Sequence, residues 1–260
     1  MDTKDYLTCY YQTYDEDNRL TSKYGMVEFL TTMHYIEKYL HSNMRIMEIG
    51  AGTGRYSITL AKAGYDVTAV ELVEHNLEVL KKNSEGIENI QSYQGDALDL
   101  CRFTDNSFDV TLLFGPLYHL YEPQDVQKSI DEAIRVTKPG GVILAAFLSV
   151  YAILFDNYLQ GNLLAGIEEN FTEDYKIRHF EEQLFTGYDV AEFEELFTDK
   201  PVEHLHTVAV NGILELAEKR IDFAMSDEEM EAFAKLWLAI CEKREMLGCS
   251  GHLLYICSKK

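Results

Sequence analysis

The residues with the plainest chemical purpose lie between positions 45 and 97. Glu48, Gly50, Gly52 and Gly54 alternate in the run EIGAGTG, an acid followed by glycines at every second position. Alternating glycines make a turn whose backbone a ligand can touch, because no Cβ stands in the way. Glu71 closes a second apolar run about 20 residues beyond the first glycine, where a carboxylate accepts both hydroxyls of a ribose. Asp96, in Gln94-Gly95-Asp96-Ala97, follows a third such run. This order describes a nucleotide-type cofactor site, with Ala51, Leu72, Ala97, Phe114 and Gly115 as neighbouring positions expected to line it.

These residues need elements to hold them. Residues 45–49 suit a buried parallel strand. Strands are also expected over 67–70, 90–93 and 108–114, the last emptying into Gly115-Pro116-Leu117-Tyr118-His119. Helices should run over 27–40, 55–63 with Gly64 at the end, and 123–136. Pro139-Gly140-Gly141 then turns the chain into a fifth strand at 142–147. Beyond it, helices are expected over 150–159 and 189–197, strands over 202–210 and 252–258, and two helices within 212–246. Every candidate ligand residue falls at the carboxyl end of a strand, where doubly wound sheets bind ligands. The fold class expected is α/β and Rossmann-like, a seven-stranded, mostly parallel sheet with helices on both faces and a helical lid. It forms a single domain over 1–260: a helical preface at 1–42, a cofactor-binding half at 43–148, and lid insertions at 149–188 and 212–247.

Dinucleotide enzymes space their glycines as G-x-G-x-x-G, and the third would fall at Arg55. The spacing here instead resembles the cofactor loop of class I S-adenosylmethionine-dependent methyltransferases. YDEDNRL, VEFLTT, EIGAGTGRYS, VTAVEL, LLFGPLYHLYE and LGCSGHLL extend the resemblance to a bacterial small-molecule-type group over nearly the whole chain. The resemblance implies S-adenosylmethionine as cofactor and S-adenosylhomocysteine as product. It implies the glycine loop against the methionine portion, Glu48 organising that end, Glu71 on the ribose and Asp96 on the adenine amino group. It implies no particular acceptor. The metal-ligand acids of catechol-type enzymes are missing. So is the Asn/Asp-Pro-Pro-Tyr/Phe loop of amino-methylating nucleic-acid enzymes, where this chain reads Phe114-Gly115-Pro116-Leu117.

Methyl transfer from a sulfonium asks mainly for positioning, with an acceptor lone pair held in line at roughly 3–3.5 Å. Many oxygen and nitrogen acceptors must also lose a proton, and a neutral histidine suits that task. His119 is the candidate base, against the alternative that it caps backbone groups or orients a neighbour. Tyr118 either contacts the acceptor or packs beneath the lid. Tyr11, Tyr14 and Tyr24 are second-rank candidates for the acceptor or the sulfonium, against a plain packing role. His204-x-His206 has a spacing compatible with metal, but no acid or cysteine completes a ligand set and no metal is expected. His75 and the acidic run at 227–231 read as helix starts.

Composition narrows the partners. The net charge of −21 repels phosphate backbones, which disfavours nucleic acid and suits small neutral or cationic acceptors. With 47% apolar residues the chain can build a core, and no apolar stretch approaches the roughly 20 residues that span a bilayer. The acidic N-terminus has no signal-like core, and the five cysteines form no C-x-x-C pair, so a cytoplasmic protein with free thiols is expected. Competing readings are a methyltransferase for protein or RNA, a noncatalytic S-adenosylmethionine-binding protein, and a nicotinamide-dependent oxidoreductase. The sequence specifies neither the acceptor nor the oligomeric state.

Overall fold

The computed structural model describes residues 3–14, 16–159, 161–180 and 183–260. Asp15 of the YDEDNRL motif, and Gln160, Glu181 and Glu182 of the first expected insertion, lie outside the described residues.

Seven strands form one sheet: β1 (Arg45–Ile49), β2 (Asp66–Glu71), β3 (Ile90–Gln94), β4 (Phe108–Leu113), β5 (Thr137–Leu148), β6 (Val202–Ala209) and β7 (His252–Lys259). Their order is β3-β2-β1-β4-β5-β7-β6, with β7 antiparallel to both its neighbours and the other pairs parallel. The strand order therefore reverses between β1 and β4, and a crevice opens at their carboxyl ends. Ile46, Met47, Ile49, Val110, Leu112 and Leu113 are all buried. Central parallel strands are covered on both faces, which is why they read as unbroken apolar runs.

Eleven α-helices accompany the sheet among the described residues. In chain order they are α1 (Thr3–Tyr11), α2 (Lys23–Glu37), α3 (Arg55–Lys62), α4 (Glu74–Asn83), α5 (Pro123–Val136), α6 (Val150–Tyr158), α7 (Leu163–Asn170), α8 (Val190–Glu195), α9 (Leu214–Glu218), α10 (Asp227–Ile240) and α11 (Arg244–Leu247). In α5 the buried residues Val126, Ile130, Ala133 and Ile134 recur at helical spacing and meet β4 and β5. Pro123 starts that helix, where its missing N–H costs nothing.

Two expectations need correcting. The fifth strand begins at Thr137, with residues 138–141 looping out between the pairs Phe108–Thr137 and Val110–Val142. Gly141 sits so close to β4 that a Cβ would lie 2.8 Å from the Asp109 carbonyl oxygen. The segment expected to hold two helices holds three. Ser226 starts α10 through a capping box with Glu229, which separates it from α9, and Lys243 precedes the separate turn α11.

The N-terminal segment is tied down from the far end of the chain. Ser22 caps α2, and the Glu218 carboxylate of α9 accepts the Lys23 and Tyr24 backbone N–H groups at 3.1 and 2.9 Å. A carboxylate at a helix N-terminus satisfies unpaired donors and complements the dipole. Helix α10 is anchored by Trp237, whose buried Nε1 donates to the Ala209 and Val210 carbonyls at 3.1 and 2.9 Å.

Candidate cofactor and acceptor site

The chain turns sharply after β1 because Gly50 and Ala51 both donate to the Val70 carbonyl, at 2.9 and 3.0 Å. Gly50 has φ +82°, and a Cβ there would stand 2.1 Å from the Phe114 carbonyl oxygen. Gly52 has φ +54°, and the nearest atom to its own would-be Cβ is 3.5 Å away, on Glu16. Gly54 serves a different purpose from the one its place in the motif suggests. It precedes α3 with φ +91°, a Cβ there would lie 2.8 Å from Leu80 of α4, and it does not line the cavity.

Two carboxylates flank this turn. Glu71 accepts the Gly52 N–H at 2.7 Å on Oε2 and the Val73 N–H at 2.9 Å on Oε1. Burial pushes its carboxyl up while these N–H bonds pull it down, with a net rise. The Asn76 side chain is a third donor to this carboxylate, which still has capacity for one more. Glu48, at the end of β1, accepts from the Ser57 N–H at 2.9 Å and from the Ser57 hydroxyl. Burial raises it to about 8, so a cation arriving beside it would draw the proton off. Asp96 follows β3, and its Oδ1 accepts the Leu98 N–H at 3.0 Å.

A cavity of about 350 Å³ opens at the carboxyl ends of β1, β2 and β4. Glu48, Gly50, Ala51, Gly52, Glu71 and Leu72 line one side of it. Asp96 and Ala97 reach it from β3, and Phe114, Gly115, Tyr118 and His119 from β4. From the N-terminal segment come Leu7, Tyr11, Glu16, Asp17, Arg19 and Leu20. Tyr14 and Tyr24 are not among the lining residues; Tyr14 stacks on Tyr10 at 5.1 Å and Tyr24 packs against the core. The groups present fit an adenosyl ligand with a positively charged end: a side-chain-free wall at Gly52, the buried carboxylate of Glu71, and several more acids around the cavity.

His119 is held on both nitrogens. Nδ1 lies 2.7 Å from the Leu184 carbonyl oxygen, which only accepts, so Nδ1 carries the proton. Nε2 is left to accept from the Tyr11 hydroxyl at 3.0 Å. Burial lowers the ring to about 4, so it is a neutral imidazole whose one lone pair already has a donor. The adjoining Tyr118 packs edge-on to His119 at 5.0 Å and to His252 at 6.5 Å. Its carbonyl accepts the Thr186 N–H at 2.8 Å, docking the segment after α7.

Sequence reasoning missed Glu16 and Arg19. Arg19 Nε lies 3.0 Å from Glu16 Oε1 and Nη1 lies 2.8 Å from Glu28 Oε1. An acid and an arginine three residues apart in YDEDNRL were the available signal, but nothing local reveals that Glu16 faces the glycine loop and Arg19 the cavity. His204 bonds Thr207 at 3.0 Å, while His206 meets Glu242 and Lys38, each at 2.9 Å. Among the described residues no His/Cys/Asp/Glu group is arranged to hold a metal, and no helix is long and apolar enough to cross a membrane.

Residues 47–145 match the family model described as a methyltransferase domain. A demethylmenaquinone methyltransferase of Clavibacter sepedonicus is 43% identical over 101 residues, 38% of this chain and 39% of that protein. One from Staphylococcus aureus is 33% identical over 147 residues, 51% of this chain and 59% of that protein. The chain thus spans between about two fifths and three fifths of these curated relatives. A Methanosarcina mazei structure described as a SAM-dependent methyltransferase superposes with TM-score 0.56 at 20% identity, over 86% of this chain and 96% of its own. That likeness concerns the fold, a Rossmann-like class I sheet.

Proposed function

We propose, for a chain that carries a class I S-adenosylmethionine-dependent methyltransferase domain, that it transfers the cofactor's methyl group to an oxygen or nitrogen of a small-molecule acceptor. The observation that carries this reading is the contact between Gly52 and Glu71, which sets a carboxylate at the rim of a side-chain-free turn. When bound, the cofactor supplies an activated methyl on a sulfonium with a neutral thioether as leaving group. Glu71 would accept the ribose hydroxyls, Asp96 the adenine amino group, and the turn at Gly50–Gly52 would take the methionine portion.

Tyr11 and Tyr118 would face the acceptor. A proton lost by the acceptor would pass to the Tyr11 oxygen as the Tyr11 proton moves to Nε2 of His119. So poor a base limits this relay, so alignment of an already nucleophilic acceptor does most of the work. The N-terminal segment and the loop bearing Leu184 would exclude water from the reacting atoms. In this reading residues 1–42, 149–188 and 212–247 are the closing parts around the 43–148 half.

The name of the curated relatives refers to a small-molecule acceptor, which supports that class without fixing the acceptor. A cytoplasmic setting belongs to the same proposal, since free cysteines suit a reducing compartment. The test is transfer of labelled methyl from S-adenosylmethionine into fractionated cell extract. Label in a low-molecular-weight product is expected; label confined to protein or RNA would overturn the small-molecule reading.

A further inference from the structure

Arg19 is a clamped guanidinium with one edge to spare. Glu16 holds Nε and Glu28 holds Nη1, which fixes the plane of the group, while Nη2 makes no hydrogen bond among the described residues. Arg19 lines the cavity, where the other cationic side chain among the described residues, Arg55, lies over the Phe29 ring at 5.0 Å. Glu16 stands directly across from the glycine turn, with Oε1 3.8 Å and Cγ 3.5 Å from where a Gly52 Cβ would be. One segment thus presents a carboxylate and a guanidinium side by side to the wall that would take the methionine portion of the cofactor. An α-amino acid is a zwitterion of matching size and opposite polarity.

We propose that Glu16 and Arg19 clamp the amino-acid end of the cofactor, Arg19 taking the α-carboxylate and Glu16 the α-ammonium, so that binding of this end draws the N-terminal segment shut. The inference rests on the cofactor reading above. The segment is also held by Tyr11 to His119 at 3.0 Å, Asp17 to Asn83 at 2.9 Å, the Glu218 cap on α2, the Tyr10 ring against Phe185 and the buried side chains of Leu7 and Leu20. A ligand shifts such a closure only through contacts it makes in the closed state alone, and contacts to Glu16 and Arg19 are of that kind. A nucleoside without the amino-acid end reaches Glu71 and Asp96 but gains nothing from closure.

The test compares S-adenosylhomocysteine with 5′-methylthioadenosine, which keeps the adenosine and thioether and lacks the amino acid. On the full chain, hydrogen exchange over the N-terminal segment should slow with the first ligand and stay near its free rate with the second. Arg19→Gln should weaken S-adenosylhomocysteine about tenfold to a hundredfold, the range of a charge-assisted pair, and leave methylthioadenosine within about twofold. Equal protection by the two ligands, or equal weakening of both, would overturn the clamp and leave Arg19 a structural group. The exchange comparison on the unaltered chain decides the matter even if Arg19→Gln fails to fold. Failure of both ligands to bind the unaltered chain would strike the cofactor reading itself, a distinguishable result.

Discussion

The Tyr11 hydroxyl stands 3.0 Å from Nε2 of His119, and Nδ1 of the same ring stands 2.7 Å from the Leu184 carbonyl. One neutral imidazole therefore joins α1, the loop after β4 and the loop that follows α7. Tyr11→Phe removes the donor and leaves a buried nitrogen unpaired, at about 1–3 kcal/mol. We expect a lower melting temperature and a loss of turnover larger than any loss of cofactor affinity. Unchanged melting and turnover would separate the contact from both stability and catalysis.

Acid should expose the same imidazole. Burial holds His119 near 4, below the ordinary 6.5. Between those values the unfolded chain binds more protons than the folded one, so stability rises with pH across the window. The contribution is present above 6.5 and lost as pH falls through 4, with a span of about 3 kcal/mol at 1.36 kcal/mol per unit. His119→Asn should flatten this part of the curve. Denaturation midpoints at pH 4.5 and 7 for both chains measure it, and identical pH dependence would contradict the burial argument.

Two glycines of one turn should respond differently to alanine. At Gly50 the new Cβ meets the Phe114 carbonyl at 2.1 Å, which no side-chain motion relieves, so Gly50→Ala should destabilise the fold outright. At Gly52 the nearest atom is 3.5 Å away, leaving only the left-handed backbone to oppose the change, about 1–2 kcal/mol. Gly52→Ala should therefore remain folded and lose cofactor affinity, because its Cβ points into the cavity. Calorimetric melts beside binding isotherms separate the two effects; a folded, tightly binding Gly50→Ala would refute the assignment.

Glu71→Ala removes the acceptor for two backbone N–H groups and the proposed partner of the ribose. Affinity should fall by roughly 1.5–3 kcal/mol, the scale of charge-assisted hydrogen bonds. S-adenosylhomocysteine and methylthioadenosine should weaken alike, since both contain the ribose. That pattern is opposite to the one expected of Arg19→Gln.

The legibility of these features follows from how far apart their partners lie. Strands β1 and β4 were readable because burial on both faces leaves a continuous apolar run, and α5 because its buried stripe repeats at helical spacing. The start of β5 was obscured by residues 138–141, where proline and glycines signal a turn but the chain loops out of a strand that resumes. Gly54 belongs to the motif by spacing, yet its neighbour is Leu80, a contact between α3 and α4 that no local pattern encodes. His119 was noticed for its type and place, but its tautomer is set by Tyr11 and Leu184, separated from it by 108 and 65 residues. Glu16 and Arg19 were missed for the same reason: the place of Glu16 opposite Gly52 and of Arg19 on the cavity wall arises only when the N-terminal segment folds over the sheet.

Cofactor identity is tested most directly by calorimetric titration of ligand-stripped protein with S-adenosylmethionine, S-adenosylhomocysteine and NADH. Saturable binding of both sulfur ligands and none of NADH is expected, because Arg55 stands where a dinucleotide loop needs its third glycine. A demonstrably folded protein that binds neither sulfur ligand, or that binds NADH in their place, would contradict the cofactor reading.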